Sequence, residues 1–198
     1  SELLTYQRDF YVDNARNSKL RGHYLATAEG DPGRLQEFVR LLRGHRIEVE
    51  LLTEDFQADG HLYPANTSIA IPAQQAQSTF LRSLWNRQTE FEENVFYDVS
   101  TWTLPLAFNL QHTTDPVRKA ATGPLTDAFD KPHVVELQES AVGYLIDWRD
   151  SRSPALLYAL LEADANVRVA TRPLTATISG GEAMAFGYGT LFVTSALE

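Results

Sequence analysis

Two stretches of this chain repeat one order of signals, and that repetition constrains the fold more than composition does. Gly22–Leu52, GHYLATAEGDPGRLQEFVRLLRGHRIEVELL, lines up with Val142–Ala170, VGYLIDWRDSRSPALLYALLEADANVRVA. Each opens with an apolar run, crosses a short polar loop, starts a helix at a proline and returns in a second apolar run. Each is then followed by a loop and a further run, PANTSIAIPA in one case and FGYGTLFVTS in the other. Self-similarity on this scale marks duplication of one supersecondary unit.

The local signals fill in the elements. Residues 22–28 read as a buried strand. Asp31 and Pro32 supply an N-cap and a first-turn proline. A helix is expected over about 32–43, because Leu35, Phe38, Val39 and Leu42 recur at i, i+3, i+4 and i+7. Gly44 ends it, and Ile47–Leu52 is the return strand. A turn at Asp59-Gly60 precedes a strand at Asn66–Pro72 and a helix at Gln74–Trp85. In the second copy Ala141–Asp147 is a strand. Asp150 or Ser153, with Pro154, opens a helix through Leu161, and Asn166 closes it. Val167–Ala170 is the return strand. A Gly180-Gly181 turn then leads to a last strand at Tyr188–Val193. A short strand–helix–strand crossover makes its strands parallel. The expected fold is therefore α/β, with one mostly parallel sheet and helices on both faces, built from two similar β-α-β-β halves. The 198 residues form a single domain in this reading. Its first half is about 20–110, a linker about 111–133, and its second half about 134–198. The linker rests on Thr113–Pro132, a polar stretch holding three prolines.

Composition sets the outer limits. With 43% hydrophobic and 22% charged residues the chain can bury a core, and disorder is excluded. No run of about 18 apolar residues exists to span a membrane, and no charged-then-apolar leader opens the chain. The abrupt, non-Met start reads as that of an excised fragment or a processed product, and the opening segment, with Leu3, Leu4, Tyr6, Phe10, Tyr11 and Val12, is expected to pack on something. A net charge of −9 argues against nucleic acid as partner. With no cysteine there are no disulfides, thiolate metal ligands or cysteine nucleophiles. That absence fits a cytosolic protein and a larger secreted one equally.

Little recognisable chemistry remains. His45-x-x-Glu48 has the spacing of a zinc pair, but it straddles a helix end and a strand start, and His23, His61, His112 and His133 show no paired spacing. His45 reads as a turn residue. Gly180-Gly181 and Gly187-x-Gly189 precede a strand rather than a helix, so they do not form a phosphate loop. No GxSxG exists, and Ser100 is followed by no helix start. Two candidates are left. Glu29 and Asp31 in the first copy, with Asp147, Arg149 and Asp150 in the second, follow strand ends, where open α/β sheets bind ligands. Capping and ion pairing are their structural alternative. Tyr97, Trp102, Pro105 and Phe108 form an aromatic-rich segment that suits either an interface or a core.

Several stretches carry a family resemblance. FYDVSTWTLPLAF (Phe96–Phe108) resembles a segment that follows the peptidase domain in large bacterial zinc carboxypeptidase-like proteins of the M14 type. HRIEVELL, DGHLYPANTSIAIPAQQ, Gly143–Ala170 and FGYGTLFVTS resemble further stretches of that region in the same order. The pattern departs at Ala65-Asn66, where the family carries Ala-Gly; Asn tolerates the same backbone. The resemblance implies a flavodoxin-like or class I glutamine amidotransferase-like three-layer fold. It implies a non-catalytic accessory domain, with the peptidase domain upstream as partner and zinc held there rather than here. It also implies a parent that removes C-terminal residues from peptides in a secreted or periplasmic setting. No catalytic residue, cofactor or metal ligand carries over to this chain. A small-molecule or peptide binding module using the strand-end crevice near Glu29 and Asp147 is the alternative. A hydrolase with a dispersed triad is a third reading. An accessory domain should expose an apolar face from Tyr97–Phe108 or the N-terminal segment, a binding module should close a pocket at the strand ends, and a hydrolase should join a His to a Ser and a carboxylate.

Overall fold

The computed structural model describes residues 2–17, 20–28, 30–87, 103–129, 131, 134 and 137–195. They gather into two compact units, Ser1–Lys131 and Pro132–Glu198.

The first unit opens with helix α1 (Glu2–Asn17), strand β1 (His23–Thr27), helix α2 (Pro32–Gly44) and strand β2 (Glu50–Leu52). A hairpin follows, β3 (Phe56–Ala58) and β4 (His61–Tyr63), then strand β5 (Ser68–Pro72), helices α3 (Ser78–Trp85) and α4 (Leu104–Ala107), and strands β6 (Gln111–His112) and β7 (Thr122–Gly123). The last two lie in the stretch expected to be a linker. Helix α2 starts for the reason the sequence gives: Asp31 Oδ1 accepts the Arg34 N–H at 2.9 Å, and Pro32 sits in the first turn. Its Leu35, Phe38, Val39 and Leu42 are buried.

The sheet order is β6-β1-β5-β2-β7, and every neighbouring pair is antiparallel. The expected mostly parallel, flavodoxin-like sheet does not form, and this corrects the fold class. β1 and β2 do point the same way, since each is antiparallel to β5, but β5 lies between them. A crossover helix fixes the relative direction of the strands it joins and leaves their adjacency open. Here the return strand stops one strand-width away, and β5 fills the gap and satisfies both inner edges. Side-chain alternation then builds two cores. Tyr24, Ala26, Ile69 and Ile71 face α2, α3 and α4, where Trp85 stacks 5.0 Å from Tyr24 and 5.9 Å from Phe38. Its indole N–H donates to Thr113 O at 3.1 Å. On the opposite face Leu25, Leu52, Tyr63 and Ala70 pack beneath Phe56, Ala58, Val117 and Ala120.

The second unit holds strand β8 (Gly143–Ile146), helix α5 (Ser153–Glu162), strand β9 (Val167–Val169), a hairpin of β10 (Leu174–Thr177) and β11 (Ala183–Phe186), and strand β12 (Leu191–Thr194). Its order is β8-β12-β9, again antiparallel throughout. Strand, helix, strand, hairpin and inserted strand thus recur in one order in both units. Their registers match as well: Tyr24 pairs with Ile71 and Leu25 with Ala70, as Tyr144 pairs with Val193 and Leu145 with Phe192. Burial differs sharply. Both core clusters belong to the first unit, whereas Ser153, Phe186, Thr190 and Leu191 are the buried residues of the second among those described.

Candidate interaction surfaces

The strand-end acids are held by their own neighbours. Asp31 is 2% exposed, caps α2 and lies 2.9 Å from the Arg34 guanidinium. Asp147 closes β8 and accepts from the Arg149 backbone N–H at 2.9 Å and from its Nε at 3.0 Å. This guanidinium, with the backbone bond beside it, holds the Asp147 carboxyl below its ordinary value against the opposing effect of burial. Asp150 accepts from the Arg152 N–H at 2.8 Å and from Nε at 3.0 Å. Asp31 belongs to the first unit and Asp147, Arg149 and Asp150 to the second. Glu29 lies outside the described residues. The arrangement supplies turn stability at each site, with each carboxylate turned to a local cation and to backbone N–H groups.

The aromatic segment divides. Tyr97 and Trp102 lie outside the described residues, as do Ser100 and His133. Pro105 is buried in α4, and Phe108 sits 5.2 Å from the Phe38 ring in the helix-side core. His45 caps the C-terminus of α2 and packs edge-on to Phe80 at 5.2 Å, while its carbonyl accepts from Gln77. The Glu48 backbone N–H is taken by Gln75 at 2.7 Å. Gly180 and Gly181 form the β10–β11 turn. Among the described residues no three His, Asp or Glu converge as metal ligands. No described helix is long and apolar enough to cross a membrane. The sequence did not single out the His23 Nε2 to Glu50 Oε2 approach at 3.3 Å, whose partners come together only when β5 aligns β1 with β2. A depression of about 390 Å³ is lined by Arg43, Ile47, Glu48, Val49, Glu50 and Leu125, a set without a serine, threonine or histidine.

The exposed apolar surface is more distinctive. On α1, Leu3, Leu4, Tyr6, Phe10 and Tyr11 form one stripe at helical spacing, and exposure falls from 74% at Leu3 to 38% at Tyr11. That gradient follows from where the helix is tied down. Its last turn is held by Thr79 Oγ1 donating to Asn14 Oδ1 at 2.9 Å and by Gln74 Nε2 donating to Ala15 O at 2.9 Å. A second surface lies on α5, where Leu156, Tyr158 and Leu161 are exposed. Aligning Pro154 with Pro32 sets Leu156 where α2 has Arg34 and Tyr158 where it has Gln36. Leu161 then falls where Val39 is 1% exposed. The run SPALLYALLE, with almost no polar residue, carries that signal in the sequence. No protein-family model, curated protein or solved structure matches the chain.

Proposed function

We propose that this chain is a non-catalytic accessory module that docks through α1 onto a larger partner, a zinc carboxypeptidase domain carried upstream in the same protein. The observation behind this reading is the apolar stripe of α1, whose hydrogen bonds to the rest of the unit, among the described residues, come from Asn14, Ala15 and Arg16 in its last turn. A 16-residue helix with Leu3, Leu4, Tyr6, Phe10 and Tyr11 turned to water has the form of a helix awaiting a groove. The identity of the partner rests on the sequence resemblance alone. Zinc and the reacting groups belong to that partner, and this chain supplies packing surface. A crevice-based binding module has no comparable support, because Asp31, Asp147 and Asp150 are each engaged by neighbours.

The test compares the 198-residue chain with a longer chain extended upstream through the peptidase domain. Zinc content and release of C-terminal residues from peptides should appear in the longer chain only. Leu4→Asp with Phe10→Asp should leave this chain folded and should open the longer one to proteolysis between its domains. Stoichiometric zinc or peptide turnover in the 198-residue chain by itself would overturn the proposal.

A further inference from the structure

The buried side-chain atoms without a hydrogen-bond partner fall into a pattern. Among the described residues they are Asn14 Nδ2, on α1, and His23 Nδ1, Glu50 Oε2, Tyr63 Oη and Ser68 Oγ. The last four all stand on the hairpin side of the first unit's sheet. His23 shares a side of β1 with Leu25, Glu50 lies opposite Ala70, Ser68 precedes Ala70 by two, and Tyr63 packs with Leu25 and Ala70. None belongs to the helix-side cluster. His23 and Glu50 reach solvent, with side chains 23% and 37% exposed. Tyr63 and Ser68 do not, at 0% exposed each. A sealed hydroxyl forfeits the bonds it made to water in the unfolded chain, which is why buried ones are met by protein or by an internal water.

The strand registers bring these two hydroxyls to one place. Ser68 is opposite Thr27, and Thr27 is opposite Gln111. Residues opposite one another share a face, so the three form a polar row across β5, β1 and β6. Tyr63 meets the far end of that row. Burial pushes its phenol pKa up, and the neighbouring Gln111 side chain draws it part of the way back. Gln111 nevertheless leaves the Tyr63 hydroxyl short of a properly formed bond. Between the ends, Thr27 donates its hydroxyl proton to Thr67 O over a long 3.4 Å and keeps its lone pairs.

We infer that this row holds one internal water molecule, bridging Tyr63 Oη and Ser68 Oγ above Thr27. Water suits the site because each hydroxyl both donates and accepts. Thr27 Oγ1 and the Gln111 amide then bring its polar partners to the roughly two to four that an ordered water takes. A cation would find no carboxylate in the row to hold it. Leu25, Leu52 and Ala70, each 0% exposed, wall the row off from anything that must enter from solvent. The bridge fastens β4, the returning arm of the hairpin, to β5 and β1. The inference concerns the interior of the first unit and does not rest on the α1 reading.

Diffraction from crystals of the full chain, at a resolution that shows ordered water, tests it directly. Density is expected within hydrogen-bond reach of both oxygens. Oxygen-17 relaxation dispersion tests it in solution, by counting waters held longer than the protein takes to tumble. Ser68→Ala and Tyr63→Phe should each remove one such water, and the double variant should remove that same one and no second. Each single substitution should lower the urea midpoint, and the pair together should lower it by less than the sum. Circular dichroism matching that of the parent protein shows that a variant is folded, and the diffraction result stands without the variants. An empty position in the density overturns the inference. So does a water count unchanged in both variants, or a Tyr63→Phe midpoint above that of the parent, which marks a hydroxyl buried dry.

Discussion

At Gly22 one added atom would collide with the edge of the first unit's sheet. Its φ is +98°, and a Cβ there would lie 2.1 Å from Val117 O, a backbone atom of the strand-edge segment that β1 needs. Gly180 has φ +101° with nothing within 4 Å. Gly22→Ala should therefore cost at least about 2 kcal/mol, and Gly180→Ala about 1 kcal/mol from backbone strain alone. Urea denaturation of the two variants checks the ranking, and equal losses would contradict it. The second residue-scale case is Asp147. Its carboxyl is held below the ordinary value, first by the Arg149 side-chain bond, so the folded chain takes up that proton less readily than the unfolded one. The stability contributed is present above the ordinary carboxylate range and is lost as pH falls through the lowered value. Asp147→Asn should thus lower the urea midpoint of the second unit at neutral pH and match the parent protein in acid. A gap that persists unchanged into acid would exclude this pair as its source.

Among the elements, helices with similar apolar content meet opposite fates. Leu42 of α2 is fully buried, and Leu42→Ala should cost about 2–5 kcal/mol. On α1, Leu4 is 65% exposed, and Leu4→Gln with Phe10→Gln should change stability by less than about 0.5 kcal/mol per site while reducing binding of a hydrophobic dye. Thermal melts of the single chain separate the two cases. The difference lies in what surrounds each helix. α2 spans the step from β1 to β2 and lies over the sheet, while α1 is bonded to the unit, among the described residues, through Asn14, Ala15 and Arg16 at its end. Helix α5 shows the limit of periodicity as a guide. Its residues are apolar nearly all round, so no stripe in the sequence says which side is covered.

Across the whole molecule, apolar burial is concentrated in one unit. Tyr24, Leu25, Ile69 and Ile71, on the paired strands β1 and β5, are at most 4% exposed, while the strands of the second unit are mostly half-buried. At low protein concentration, amide exchange should be slowest in β1 and β5, and the second unit should open at lower denaturant than the first. Faster exchange in β5 than in β12 would contradict this. The sequence determined what its short-range physics encodes. The proline-started helices α2 and α5, the Asp31 cap, the glycine turns and the strand–helix–strand order of each copy are legible because they depend on residues within a few positions of one another, whereas the hairpins β3–β4 and β10–β11 fall where the sequence reads as loop. It also told which acids would cap rather than react only as one of two alternatives, since capping is a matter of geometry. The tertiary structure alone decided the sheet. Whether β2 lies beside β1 or one place away depends on β5, a strand some twenty residues onward, competing for the same edge. No local pattern records that competition. The exposure of α1 was settled in the same way, because burial belongs to what packs against a residue and not to the residue itself.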